Sequence, residues 1–204
     1  MIENYKYLIT KTDVIDLISV VIVLLCTLLT LASVYIDFSK YHKSKTVKKA
    51  TKSIVETGSM FLFFIAYYLI LKFRFGSINT ENLPLIIAIK LLGNTLLVTF
   101  CYVGIKGRFD LKDNWANQVT IYETQKVVKN GMYSYLRHPL YTSLIWMFTG
   151  ACFVYLNYLA LISVWLIFVP FMYYRAKQEE KLLMAEFKEY QEYRNKVGMF
   201  FFKF

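Results

Sequence analysis

Apolar residues along this chain do not alternate with polar ones, as they would in a half-buried strand or a soluble helix; they gather into long blocks separated by charged stretches. The blocks run from 14 to 36, from about 54 to 73, from 83 to 105, from about 141 to 156 and from about 158 to 174. A bilayer core takes roughly 20 apolar residues in helical form, so the pattern predicts an all-α, polytopic membrane protein with about five transmembrane helices. The first block is interrupted only by Asp16 and carries no small-residue cleavage pattern, which marks it as a retained span and not a secretory signal. Little more than Asn157 separates the last two blocks, so they are expected to form a tight helical hairpin, each near the short limit for spanning.

Composition agrees: 57% of the 204 residues are hydrophobic and 18% aromatic, with three prolines and eight glycines, which excludes disordered and collagen-like classes. With no linker or repeat, residues 1–204 are expected to form one membrane unit, 14–105 holding three spans and 106–204 the remainder. The net charge of +10 does not read as nucleic-acid binding, because the basic residues lie between apolar blocks and not in one stripe. Lys40, Lys43, Lys45, Lys48, Lys49 and Lys52 fill the first connection. Lys106, Arg108, Lys112, Lys126, Lys129 and Arg137 fill the third, and Arg175, Lys177, Lys181, Lys188, Arg194, Lys196 and Lys203 the tail. The opposite side keeps Lys6, Lys11, Lys72 and Arg74, so the positive-inside rule puts the N-terminus outside and the C-terminus in the cytoplasm. Cys26, Cys101 and Cys152 are solitary within predicted spans, and His42 and His138 are the only histidines, so neither a zinc site nor a redox pair is expected.

Polar chemistry concentrates in the second half. In the first, Lys90 is the main exception, expected to snorkel or to pair with a neighbour. The segment 111–142 is too polar to span and rich in aromatics, which predicts an interfacial connection before the fourth helix. It closes on Gly131, Tyr133, Arg137, His138, Pro139, Leu140 and Tyr141. Proline suits the first helical turn, so Arg137 and His138 should sit at a helix amino end, where positive partial charge and N–H groups can hold a carboxylate or phosphate. Read without function, Arg137 anchors lipid phosphate, His138 caps the helix and the tyrosines form an interfacial belt. A second cluster, Arg175, Glu179 and Glu180, follows the fifth block at the same membrane level, on a predicted C-terminal cytoplasmic helix whose apolar stripe runs through Leu182, Leu183, Phe187 and Tyr190. For Glu179 and Glu180 the alternative is an exposed face with local ion pairs.

The pattern Gly131-x-Tyr133-x-x-x-Arg137-His138-Pro139-x-Tyr141, followed two spans later by Arg175-x-x-x-Glu179-Glu180 and Phe187-x-x-Tyr190-x-x-Tyr193, resembles the isoprenylcysteine carboxyl methyltransferase family over approximately residues 90–200. Phospholipid N-methyltransferases and some sterol reductases carry related C-terminal halves. The resemblance implies S-adenosylmethionine as cofactor, with contacts from Gln118, Gln125, Lys126, Val127, Val128, Tyr133, His138, Pro139, Leu140, Tyr141 and Glu179. It implies an acceptor-orienting role for Arg175, with Arg137 and Glu180 as supporting candidates. Three positions depart from the family pattern: Gln125 stands where histidine is common, Ser143 where the turn often ends in glycine, and Lys188 where the last helix usually has glycine. The small number of spans resembles the compact prokaryotic form, hence an enzyme of a prokaryotic plasma membrane with its site facing the cytoplasm.

The implied reaction is methyl transfer to a lipid-like acceptor, best a prenylcysteine-like carboxylate. A carboxylate of pKa about 3.5 is already ionised at neutral pH, so positioning and not base catalysis should dominate. In this picture His138 and nearby N–H groups hold the methionine carboxylate, Glu179 takes the cofactor's polar end, and Tyr133 and Tyr141 flank it. The alternatives are phospholipid N-methylation, thiol S-methylation, a sterol-reductase-like oxidoreductase or a non-catalytic membrane scaffold. No GxGxxG following a strand supports the oxidoreductase, and a scaffold leaves the two polar clusters unexplained.

Overall fold

The computed structural model describes residues 2–41, 47–51, 54–111, 114, 119–122, 126–201 and 203. Helix α1 spans Ile2–Tyr41, α2 Ile54–Lys72, α3 Leu83–Leu111, α4 Pro139–Val154, α5 Tyr158–Glu186 and α6 Tyr190–Lys196. Three helices are long and apolar enough to cross a membrane: Val14–Asp37 within α1, α3 and α5. The apolar part of α2, Gly58–Lys72, and α4 are shorter. The chain is thus a helical polytopic membrane protein. Among the described residues the extended structure includes one antiparallel ribbon, β1 (Val47–Thr51) against β2 (Val119–Tyr122).

Helix α4 is the centre of the bundle. One side packs with α2 and α5 around Phe63, Tyr67, Ile145, Cys152, Val164 and Phe168. The other meets α1 and α3 around Cys26, Leu97, Cys101, Met147 and Ala151. Covered on both sides, it carries small buried residues such as Ser143, Thr149, Gly150 and Ala151. The α3 and α4 backbones nearly touch: a Cβ at Gly93 would lie 2.7 Å from the Gly150 carbonyl oxygen, and one at Gly150 2.8 Å from that of Gly93. In lipid, where apolar side chains gain little by leaving the solvent, such close small-residue packing is a main source of helix association.

Polar contacts supply another source between α1 and α3. Lys90 pairs with Asp16, Asn94 donates to the Ser19 hydroxyl at 2.8 Å, the Cys101 thiol lies 3.6 Å from the Cys26 carbonyl, and Arg108 pairs with Asp37 at 2.8 Å. Other α1 side chains, Leu17, Leu24 and Leu28 among them, are exposed, as lipid-facing residues should be. All three cysteines are free and buried, serving as packing groups.

The hairpin between α4 and α5 turns at Leu156, whose φ is +47°, and Asn157 holds it. The Asn157 side chain accepts from the Ala160 N–H at 2.8 Å, capping α5, and donates to the Phe75 carbonyl at 2.9 Å. Within α5, residues Val164–Phe168 widen into a π-helical turn just before Pro170. A proline offers no N–H to the carbonyl four residues back, and the wider turn accommodates that loss.

Two expectations require correction. The fifth span and the cytoplasmic helix are not separate elements, because α5 runs unbroken through Arg175 and Glu179 to Glu186. Nor does one apolar stripe continue to Tyr190. Phe187 is extended, with φ −119° and ψ 105°, and the chain turns into α6 so that Tyr190 and Tyr193 are buried. Pairing of β1 with β2 joins the first connection to the third at one end of the bundle, as the charge pattern required.

Candidate active site

The site forms where α4 begins and the polar end of α5 passes it. Gly131 has φ +64°, which suits glycine, and a side chain there would collide with the Asp110 carboxylate. Asp110 in turn accepts the Met132 N–H at 2.8 Å, tying the short helical turn Gly131–Ser134 to α3. Tyr133 is buried, and its carbonyl accepts a 2.6 Å hydrogen bond from the Tyr193 hydroxyl of α6.

Arg137 and His138 face inward. Arg137 Nε donates to Glu180 Oε1 at 2.7 Å, and its Nη1 donates to the carbonyls of Arg194 (3.0 Å) and Val197. His138 Nε2 lies 3.2 Å from the same Glu180 oxygen, and Nδ1 lies 3.7 Å from Glu179 Oε2. Arg194 Nε approaches the other Glu180 oxygen at 3.3 Å, an ion-pair distance without hydrogen-bond alignment, which is why Oε2 has no hydrogen-bond partner. Glu180 is fully buried. The anion held by the Arg-His turn is therefore the protein's own carboxylate. Arg137 is not a lipid-phosphate anchor. His138 occupies the N-cap position of α4, but its side chain makes no capping hydrogen bond.

The segment after α6 completes this enclosure. Arg137 N–H donates to the Gly198 carbonyl at 2.8 Å, His138 N–H to that of Met199 at 3.2 Å, and the Thr142 hydroxyl to that of Phe200 at 3.4 Å. The Phe200 ring meets His138 edge-on at 6.1 Å.

Beside the buried core lies a more open set of groups. The Tyr141 hydroxyl donates to Glu179 Oε2 at 3.1 Å and accepts from Arg175 Nε at 3.2 Å, so it links two side chains one helical turn apart on α5. The Tyr141 ring stacks on His138, with centroids 5.4 Å apart and planes 10° from parallel. Arg175 Nη1 also contacts the Met60 sulfur of α2 at 3.5 Å. Unlike Glu180, the Glu179 side chain is 40% exposed. Burial, reinforced by the Glu179 charge, pushes the Tyr133 phenol well above its ordinary pKa; burial likewise raises Tyr190 and Tyr193.

The fold therefore brings together Tyr133, Arg137, His138, Pro139, Tyr141, Arg175, Glu179 and Glu180. Leu140 and Pro139 pack against Gly107 of α3. Lys126 is exposed, with its N–H on the Asn114 side chain at 2.7 Å, and Val127 and Val128 are half-buried. Among the described residues no hydrogen bond or ion pair links these three to the cluster. Gln118 and Gln125 lie outside the described residues. Sequence reasoning counted Arg194 only as a basic tail residue and gave no role to Val197, Gly198 and Met199. Backbone carbonyl acceptors leave no side-chain signature that could have revealed them.

A helical bundle built to lie in a bilayer, with a buried charged cluster and a half-open aromatic and carboxylate site, defines a polytopic membrane protein with a candidate site at one end of the bundle. Residues 86–185, which contain most of that site, match the model of the isoprenylcysteine carboxyl methyltransferase (ICMT) family. The chain is also similar to a protein-S-isoprenylcysteine O-methyltransferase of Saccharomyces cerevisiae, 40% identical over 74 residues. That match covers 36% of this chain and 31% of the relative, so the chain spans about a third of the length of the curated relative it matches.

Proposed function

We propose that this protein is an S-adenosylmethionine-dependent methyltransferase that esterifies the carboxylate of a lipophilic, prenylcysteine-like acceptor. The observation that carries the reading is the Arg175–Tyr141–Glu179 relay, which holds a cation and a partly exposed carboxylate on either side of one hydroxyl. The match of residues 86–185 to the isoprenylcysteine carboxyl methyltransferase family supports the same chemistry.

The residues fit the cofactor. Glu179 is half-open and accepts the Tyr141 hydroxyl on one oxygen, so it retains acceptor capacity for an amine or a diol. The parallel His138 and Tyr141 rings offer a flat aromatic wall. Bound there, S-adenosylmethionine supplies an electrophilic methyl group on a sulfonium. Glu179 would hold its polar end, Tyr133 and Tyr141 would flank it, and His138 Nδ1 with nearby backbone N–H groups would meet its carboxylate. Lys126, Val127, Val128, Gln118 and Gln125 would line the adjoining connection. Glu180 and Arg137 lock the His138 ring in place without touching substrate.

Arg175 orients the acceptor carboxylate. That group is ionised at neutral pH, so the protein needs no base to activate it. Holding two reactants in line can lower a barrier by roughly 7 to 11 kcal/mol, enough for positioning to be the main contribution. The polar termini of α4 and α5 would face the cytoplasm of a prokaryotic cell, with the N-terminus outside, in keeping with the lysine-rich segments gathered there.

The test is radiolabelled methyl transfer by purified protein into membrane extracts and a synthetic farnesylcysteine, with the product partitioned as base-labile ester, lipid amine or thioether. A base-labile ester is expected. Label found only in lipid amine or thioether would exclude carboxyl transfer, and an absence of both labelling and calorimetric cofactor binding by folded protein would exclude a methyltransferase.

A further inference from the structure

The last turns of α3 pack against the start of α4. A Cβ at Gly107 would lie 3.2 Å from the Pro139 ring, and Asp110 accepts the Met132 N–H at 2.8 Å, so Arg108 leaves α3 between two positions that touch the site. Its Nη1 donates to Asp37 Oδ2 of α1 at 2.8 Å, and the two side chains are only 13% and 6% exposed.

Bracing α1 against α3 is reason enough for that contact. It does not explain why the cation is an arginine, since towards the opposite end of the same helix pair Lys90 meets Asp16 and one ammonium suffices. A guanidinium carries five N–H donors, and among the described residues Arg108 uses one of them. None of its nitrogens is buried without a partner, so the remaining Nε and Nη2 edge opens onto accessible space. Such an edge receives a carboxylate through two parallel hydrogen bonds.

The neighbourhood selects the carboxylate. Burial and the Glu179 charge raise the pKa of the Tyr133 phenol while the Arg108 charge opposes them, so the phenol feels one carboxylate and one guanidinium at once. S-adenosylmethionine carries an ammonium and a carboxylate on one carbon, and the half-open Glu179 suits the ammonium. Backbone N–H groups bring dipoles to the carboxylate, but a full positive charge has to come from a side chain. Among the described residues Arg137 and Arg194 are engaged by Glu180, Lys106 by Asp110 and Lys129 by Glu189, and Arg175 serves the acceptor. Arg108 is the cation with a fork to offer.

We propose that Arg108, held from α1 by Asp37, binds the carboxylate of the cofactor's methionine moiety through that edge. The inference rests on the methyltransferase reading and carries its site beyond residues 86–185, because α1 supplies the group that fixes the guanidinium.

The test is calorimetry of the full chain in detergent with S-adenosylmethionine and with its decarboxylated form, which lacks that carboxylate alone. The parent should prefer S-adenosylmethionine by roughly tenfold to a hundredfold, the range for a hydrogen bond between charged groups. Arg108→Gln should abolish the preference by weakening S-adenosylmethionine while affinity for the decarboxylated form is kept. Because that variant leaves Asp37 without its partner, Asp37→Asn with Arg108→Gln removes both charges together and should lose the preference in the same way. No preference in the parent, a preference retained by folded variants, or equal weakening of both ligands would overturn the assignment and leave the methyltransferase reading standing. Binding of neither ligand by folded parent would overturn that reading, and the assignment with it.

Discussion

Arg137 and Glu180 are 43 positions apart, yet Arg137 Nε donates to Glu180 Oε1 at 2.7 Å with both side chains almost wholly buried. The pair ties the turn before α4 to α5, and His138 and Arg194 add two more contacts to the same carboxylate. A buried carboxylate with three positive or potentially positive neighbours is neutralised where it stands, and each neighbour is fixed by it. This pair sets the geometry from which Tyr141, Arg175 and Glu179 face the open side.

Removing one partner of such a pair leaves a buried, uncompensated charge and costs about 3 to 5 kcal/mol. Arg137→Leu should therefore lower the thermal midpoint in detergent sharply, and Glu180→Gln, which keeps the shape, should do so as well. The double variant should lose less than the two single losses combined, because the residues share one network. Additive losses would show that the contacts act separately.

Much of this architecture was legible in the sequence. Apolar block lengths predicted the helices, Asn157 the hairpin, and the lysine distribution the meeting of the first and third connections at one end. Glu180 was harder to read. Beside Glu179, at the start of a run containing Glu186 and Glu189, it looks like one more carboxylate on a solvated face, and only the rotation of α5 buries it while leaving Glu179 open. Arg194 was equally hidden, since its partner depends on the chain reversing at Phe187. Lys90, by its place in a span, was expected either to snorkel or to pair; it pairs, and nothing in the linear order singled out Asp16.

The hydroxyl of Tyr141 links Arg175 to Glu179 in the relay. Tyr141→Phe keeps the stacked ring and removes that link. Hydrogen bonds to charged groups contribute about 1.5 to 3 kcal/mol, so methyl transfer should fall roughly tenfold to a hundredfold. Arg175→Ala should abolish transfer while calorimetry still detects cofactor binding. Loss of cofactor binding with Arg175→Ala would move that residue to the cofactor side of the site.

Close approach of α3 and α4 gives a test of the scaffold. A larger residue at Gly150 meets the Gly93 carbonyl at 2.8 Å and the Leu97 and Leu96 side chains just beyond 3 Å. Backbone cannot yield as a flexible side chain can, so Gly150→Val should cost about 1 to 3 kcal/mol. Gly58→Ala is the control, as nothing lies within 4 Å of its Cβ direction. The measurement is the thermal midpoint of each variant in the same detergent.

Three phenols around the site predict how stability responds to alkali. Burial pushes Tyr133, Tyr190 and Tyr193 above the ordinary tyrosine pKa of about 10, with Glu179 or Glu180 charge adding to the shift. Unfolded, each releases its proton near pH 10; folded, each keeps it to higher pH. Between those values the native state binds more protons than the unfolded state, so stability falls as pH rises. Their contribution is complete below about pH 10 and is lost progressively above it, through the folded-state values. Denaturation monitored from pH 8 to 11 should show a midpoint that is flat at first and then declines. Tyr193→Phe also removes the 2.6 Å hydrogen bond to the Tyr133 carbonyl, so it should lower stability at pH 8 by about 1 kcal/mol. Because one titrating group is gone, its decline above pH 10 should be shallower than that of the parent. An equally steep decline in both proteins would mean that Tyr193 is not among the groups whose ionisation the fold resists.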